Sequence, residues 1–511
     1  MFERSKTQSD TYCPLVNLLA AVVLALGVPA FAQDEESESQ PVREKNTPSV
    51  THHGVTIGGK RIRYSATAGT ISLAEEDGTE KAKVFFIAYV KEDTTDFASR
   101  PLTFSFNGGP GSSSVWLHLG ALGPRRVVMG DVDSLLPPPW QLTENEYSIL
   151  DETDLVFIDP VTTGYSRAAE GEDDAQFHGF EEDIESVGEF IRLYTTQNER
   201  WESPKFLIGE SYGTTRASGL SGYLQDRYGM FLNGIMLISS ILDFQTARFT
   251  PGNDLPYVLF LPSFTATAWY HGKLTPDLQR DLKQTLVSVE TFALGEYASA
   301  LLLGDALDND DRRRIAQQLA RFTGVSETFV QQCNLRISQR RFCKELMRDQ
   351  GKTAGRLDSR FQGIDFDDAG ESYDYDPSYS AIYGPYTATI NHYLRADLGY
   401  VSDLPYEILT GRVRPWNYGN VENEFLNVAE TLRSAMTKNP NLKVFVANGY
   451  YDLATPYFAT RYTFNHMHLD ETLRDHVSMG YYEAGHMMYV KLSSLARLKA
   501  DLATFIRSSS K

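Results

Sequence analysis

Three residues far apart in the chain could together carry nucleophilic chemistry: Ser211, Asp452 and His486. Ser211 stands in GESYG (209–213), a GxSxG pattern placed where strand-forming KFLI (205–208) meets a stretch with helical character. GxSxG arises by chance roughly 0.2 times in a chain of this size, so its position carries the weight. A tight strand-to-helix turn lifts a serine oxygen clear of a sheet, and small flanking residues let the backbone pass close to its neighbours. A serine hydroxyl is a poor nucleophile by itself and needs a base, which in turn needs a carboxylate to orient it. Asp452 follows LKVFVANG (442–449), and His486 follows VSMGYYEAG (477–485). Taken singly, the aspartate would read as a turn cap and the histidine as a structural one. Their order after the serine, each beyond a late strand, predicts a catalytic triad. His52, His53, His118, His271 and His392 lack that setting. An oxyanion would need two N–H donors, and Gly109 in FNGGPGSSS (106–114) and Tyr212 are expected to supply them.

These residues require a sheet to hold them. Residues 55–90 read as a β-meander, with Gly58-Gly59 and Asp77-Gly78 at its turns. LTFSF (102–106), DLVFID (154–159), KFLIG (205–209), NGIMLIS (233–239) and LKVFVANG are short apolar runs of the kind that form buried parallel strands. A helical pattern at 181–194, with Ile184, Val187, Phe190, Ile191 and Tyr194 on one face, lies between two of them. Strands alternating with helices predict a mostly parallel central sheet with helices on both faces. The series stops near 245 and resumes at 442. The intervening 246–430 are charged and helical, as at 310–322, with a tyrosine-rich polar loop near 371–386, and are expected to form a largely helical cap inserted between core segments 51–245 and 431–511.

The chain has 511 residues, of which 42% are hydrophobic and 12% aromatic, a globular composition. Its 67 acidic against 48 basic side chains give a net charge of -19, which excludes nucleic acid as a plausible partner. Arg4 and Lys6, an apolar run over 15–28 and Ala30-Phe31-Ala32 predict a signal peptide over 1–32, followed by a flexible leader over 33–50. Export to the periplasm or beyond follows, with no stable membrane association once the signal is removed; the apolar run is shorter than the ~20 residues of a membrane span. In an oxidising compartment Cys333 and Cys343 are expected to pair, the alternative being two reduced, buried thiols. No HExxH, phosphate-binding loop or convincing GxGxxG is present, so no metal and no cofactor are expected.

NGGPGSSS, LGALGP, DLVFIDPVTTGYS, GESYG, NGYYDLATP and EAGHM, in that order, resemble the serine carboxypeptidases, and more closely their secreted bacterial relatives. The resemblance implies an α/β-hydrolase that removes single C-terminal amino acids, usually best in acid. It implies Ser211, Asp452 and His486 as the triad and Gly109 and Tyr212 as oxyanion donors. Asn107, Gly108 and Glu210 would meet the terminal carboxylate of peptide substrates with a free C-terminus. A carboxyl group beside that carboxylate repels it when both are ionised and binds it when a proton is shared. Such enzymes carry a second glutamate directly before the Leu-Gly-Pro, where this chain has Ala121. Arg125 or Arg126 could replace that anchor, the alternative being two solvated surface arginines. The same triad could also serve an esterase or acyltransferase, and the fold alone could serve a silent binding protein.

Overall fold

In a computed structural model, residues 47–132, 135–419 and 421–510 are described. The expected signal peptide and most of the expected leader lie outside these residues. The leader's last residues already belong to the sheet, because the first strand begins at Ser49.

The sheet opens with three long antiparallel strands: β1 (Ser49–Ile57), β2 (Lys60–Ala74) and β3 (Glu80–Lys91). The other long strands of this sheet, in chain order, are β4 (Leu102–Phe106), β5 (Asp154–Ile158), β6 (Lys205–Ser211), β7 (Gly234–Ser240), β8 (Lys443–Gly449) and β9 (Val477–Tyr482). Their spatial order is β1-β2-β3-β5-β4-β6-β7-β8-β9, and a two-residue strand, Arg167–Ala168, pairs with β3 to make ten. From β5 to β9 every pairing is parallel. Both faces of the sheet are covered, so these strands are apolar at successive positions rather than alternating with polar residues. In β3, Phe85, Ile87 and Tyr89 point to one core while Val84, Phe86 and Ala88 point to the other. In β7, Met236 and Ile238 oppose Ile235 and Leu237 in the same way.

Helices α1 (Phe180–Gln197) and α2 (Tyr212–Tyr228) fill one face. The chain then leaves the sheet. Helices α3 (Leu255–Tyr270), α4 (Leu282–Phe292) and α5 (Asn309–Thr323) build a third core of their own. Helix α6 (Pro377–Ala396) instead packs on the second face of the sheet, where Tyr386 meets Trp116 and the Tyr393 hydroxyl meets that of Tyr89 at 3.0 Å. Helix α7 (Ala429–Lys438) joins α1 and α2, and after α8 (Tyr457–Asn465) the long α9 (Leu492–Ser509) completes the second face. Residues 246–430 thus contribute to the insert and to both faces of the sheet. The insert's core also takes in Tyr451, Leu453, Tyr457 and Phe458, which follow β8.

The expected disulfide does not form: Cys333 and Cys343 are both free and buried. Cys343 lies on the short helix Gln339–Glu345, where its sulfur meets Gln339 Nε2 at 3.1 Å and the Gly355 carbonyl at 3.7 Å. Burial pushes its thiol far above the usual range, with the nearby Asp376 charge acting the same way. Packing within the insert's core and local partners therefore occupy the thiol. A native disulfide contributes about 2–5 kcal/mol. The melting temperature with and without dithiothreitol is expected to coincide, and a fall of several degrees on reduction would reveal a bridge.

Candidate active site

The carboxyl ends of the parallel strands β4, β6, β8 and β9 bring the candidate residues to one edge of the sheet, where ligands gather in open parallel sheets. A cavity of about 940 Å³ there is lined by Asn107, Gly108, Gly109, Glu210, Ser211 and His486 together with residues of the insert.

Ser211 ends β6 and holds φ 60° and ψ -129°, a conformation disfavoured for any residue with a side chain. The corner persists because its neighbours leave no alternative. A Cβ on Gly209 would stand 2.1 Å from the Gly213 carbonyl oxygen, and one on Gly108 would stand 2.4 Å from the Tyr212 nitrogen. The turn after β4 therefore presses against the first residue of α2, whose N–H has no acceptor within the helix. Gly109, at φ 104°, follows in the same turn. This proximity places the Gly109 and Tyr212 backbones beside Ser211. Arg216 on α2 holds the turn from below, donating to the Asn107 carbonyl at 2.6 Å and, at 2.8 Å, to Asp183 on α1.

His486 follows β9 and is buried, as is Asp452 beyond β8. His486 Nδ1 lies 2.8 Å from Asp452 Oδ2. With the Nδ1 proton donated to the aspartate, the lone pair is left on Nε2. Asp452 is fixed in turn by the Ala454 N–H at 2.7 Å, the Thr455 N–H at 3.0 Å and the Thr455 hydroxyl at 2.8 Å. Burial alone would lower the His486 pKa, but the Asp452 charge, its hydrogen bond and the Glu210 charge together raise it above the ordinary value. A strip of the insert ties the two loops together: the His486 N–H donates to the Leu357 carbonyl at 2.7 Å, and the Leu453 N–H to the Arg356 carbonyl at 3.1 Å.

Glu210, one residue before the serine, is 3% exposed. Asn107 Nδ2 donates to one of its oxygens at 2.9 Å and the Tyr489 hydroxyl to the other at 2.7 Å. Burial pushes its carboxyl up to about 7, against the lowering effect of His486 and the two hydrogen bonds. Tyr489 and Thr455 were not legible as site residues, since their roles depend on contacts across 279 and 31 residues of sequence. Ala121 is buried in a short helical turn, His118–Leu122. Tyr489 lies over the adjacent Gly120, where a Cβ would stand 2.4 Å from the ring. The arginines suggested as a replacement anchor do not line this cavity. Arg125 faces Asp397 at 3.9 Å in a separate pocket, and Arg126 faces Glu146 at 3.3 Å.

Half-buried Ser211 shares its cavity with the Asp452-paired His486 and the Gly108-Gly109 turn, the components that formation and stabilisation of a tetrahedral adduct would require. A serine-directed phosphonate is therefore expected to label Ser211 and to leave Ser211→Ala unlabelled. Gly108→Ala, which drives the turn away from the Tyr212 nitrogen, should slow labelling by about 100- to 1,000-fold. An unchanged rate would mean that this turn does not form the donor site.

The family model described as serine carboxypeptidase matches residues 62–493. A 127-residue segment is 35% identical to the pheromone-processing carboxypeptidase KEX1 of Saccharomyces cerevisiae, covering 24% of this chain and 16% of that relative. The crystal structure of a prohormone-processing carboxypeptidase from Saccharomyces cerevisiae superposes with a TM-score of 0.54 at 16% identity, over 87% of this chain and 92% of the other. That likeness shows a shared fold, a mixed sheet with helices on both sides, as expected of an α/β-hydrolase. With its family pattern running through the strands that carry Ser211, Asp452 and His486, the chain belongs to the serine carboxypeptidase family.

Proposed function

We propose that the protein is an exported serine-type carboxypeptidase that removes single residues from peptides with a free C-terminus. The observation that carries this reading is Glu210: a buried carboxyl with an elevated pKa, adjacent in sequence to Ser211 and braced by Asn107 and Tyr489. Below about pH 7 it is neutral and can donate a proton to a substrate carboxylate; above that it is ionised and repels one. The terminus bound by Asn107, Gly108 and Glu210 places the last peptide bond over Ser211.

Ser211 Oγ then attacks the carbonyl carbon while His486 Nε2 takes its proton, and Asp452 stabilises the imidazolium. The Gly109 and Tyr212 N–H groups receive the oxyanion. As the C–N bond breaks, His486 returns the proton to the leaving amine, and the shortened peptide remains as an ester on Ser211. Water, deprotonated by His486, attacks that ester and restores the serine. Tyr489 acts as a positioning residue for Glu210 in place of the second glutamate that Ala121 lacks.

The test compares an N-blocked dipeptide free acid with its C-terminal amide, alongside Ser211→Ala. Turnover of the free acid alone, lost in the variant, is expected; equal turnover of the amide, or of simple esters only, would contradict the reading. The pH profile of kcat/KM should be bell-shaped, since His486 must be neutral to act as base and Glu210 neutral to bind. Glu210→Gln is expected to remove the alkaline limb. On the acid limb Glu210 already holds its proton, so the variant should leave that limb, set by His486, in place.

A further inference from the structure

Four arginines line the cavity above Ser211: Arg248, Arg340, Arg356 and Arg414. All four are exposed, and none forms an ion pair among the described residues. Their sequence neighbours behave differently. Arg336 pairs with Asp254, Arg341 with Glu371, Arg360 with Asp358 and Arg412 with Asp174. In a chain with 67 acidic side chains, unpaired cations gathered at one cleft are not explained by a shortage of partners.

The carboxylates that line the same cavity do not neutralise it. Asp376 is committed to the start of α6, accepting from the Ser378 N–H at 3.0 Å and from the Ser378 hydroxyl, and its other contacts are the backbone N–H groups of Arg356 at 3.0 Å and Leu357 at 3.2 Å. Glu210 lies buried at the base. A cleft lined by charge of one sign concentrates ligands of the other sign. Arg356 is the best placed of the four. Its backbone belongs to the strip that bonds the Asp452 and His486 loops, and its charge acts on His486. In the proposed mechanism His486 would return its proton to the leaving amine, which would put Arg356, on the strip bonded to the His486 loop, on the side of the released residue.

Resting on the carboxypeptidase reading, we propose that the cavity selects acidic peptides, with Arg356 receiving an aspartate or glutamate side chain of the released residue and Arg248, Arg340 and Arg414 those of the residues before it. The terminal carboxylate itself is met deeper, at Asn107, Gly108 and Glu210, so the arginine forks are left for side chains.

The experiment measures kcat/KM at mildly acidic pH for N-blocked dipeptide free acids carrying Glu, Gln or Lys at the released position, and for a second set varied at the position before it. A charge-assisted contact should favour Glu over Gln by about tenfold or more, with Lys below Gln. The released-position preference should collapse in Arg356→Gln, survive in part in Arg356→Lys, and weaken with added salt. The preference at the preceding position should fall in the combined Arg248→Gln, Arg340→Gln, Arg414→Gln variant, with melting temperatures confirming that each variant is folded. Turnover of all peptides without a Glu preference, or a preference that the arginine variants leave intact, would overturn the inference. Turnover of none, with Ser211 still labelled by phosphonate, would instead overturn the carboxypeptidase reading beneath it.

Discussion

The closeness with which the turn after β4 passes the Ser211 corner is the constraint on which the rest of the site depends. Ser211 is held at positive φ, and side chains at Gly108 or Gly209 would collide with backbone atoms at 2.4 and 2.1 Å. Such strain persists only where the surroundings over-determine it. Here the restraint comes from Arg216, 1% exposed, whose guanidinium bridges the Asn107 carbonyl and Asp183. A buried pair of this kind adds little net stability, but loss of one partner would cost about 3–5 kcal/mol and release the turn. The same corner fixes Glu210 and Tyr212 on either side of the serine, so Ser211, the Tyr212 backbone and the Glu210 carboxyl are set by one local geometry.

The second dependence runs through the insert. Its segment around Arg356 and Leu357 hydrogen-bonds the loops that carry Asp452 and His486, and its hydrophobic core includes Tyr451 and Leu453. The insert is therefore part of the framework of the Asp452–His486 pair as well as a wall of the cavity. This couples the residues that line the cavity to the residues that would do the chemistry.

Much of this architecture was legible in the sequence, for a physical reason. Strands buried on both faces are apolar at successive positions, so LTFSF, DLVFI and KVFVANG announce themselves, and the helical period of 181–194 became α1. The placement of the candidate residues was readable because Ser211 closes a strand while Asp452 and His486 follow strands. What the sequence left open depends on contacts between distant segments. Tyr489 meets Glu210 across 279 residues, and α6 lies on the sheet although its flanking composition suggested a cap. The cysteines misled because spacing permits a bridge without requiring one; both thiols are buried, and that of Cys343 meets Gln339 instead. Arg125 and Arg126 were close to Ala121 in sequence, but the strand Arg125–Val127 carries them away from the cavity toward Asp397 and Glu146.

The central claim is that Glu210 meets a substrate carboxylate by holding a proton. Calorimetric titration of the protein with an N-blocked amino acid bearing a free carboxyl, in buffers of different ionisation enthalpy and above pH of about 7, measures that proton directly. The account predicts uptake approaching about one proton per ligand bound, absent in Glu210→Gln and absent for the corresponding amide. Binding without proton uptake, or uptake that persists in Glu210→Gln, would contradict it.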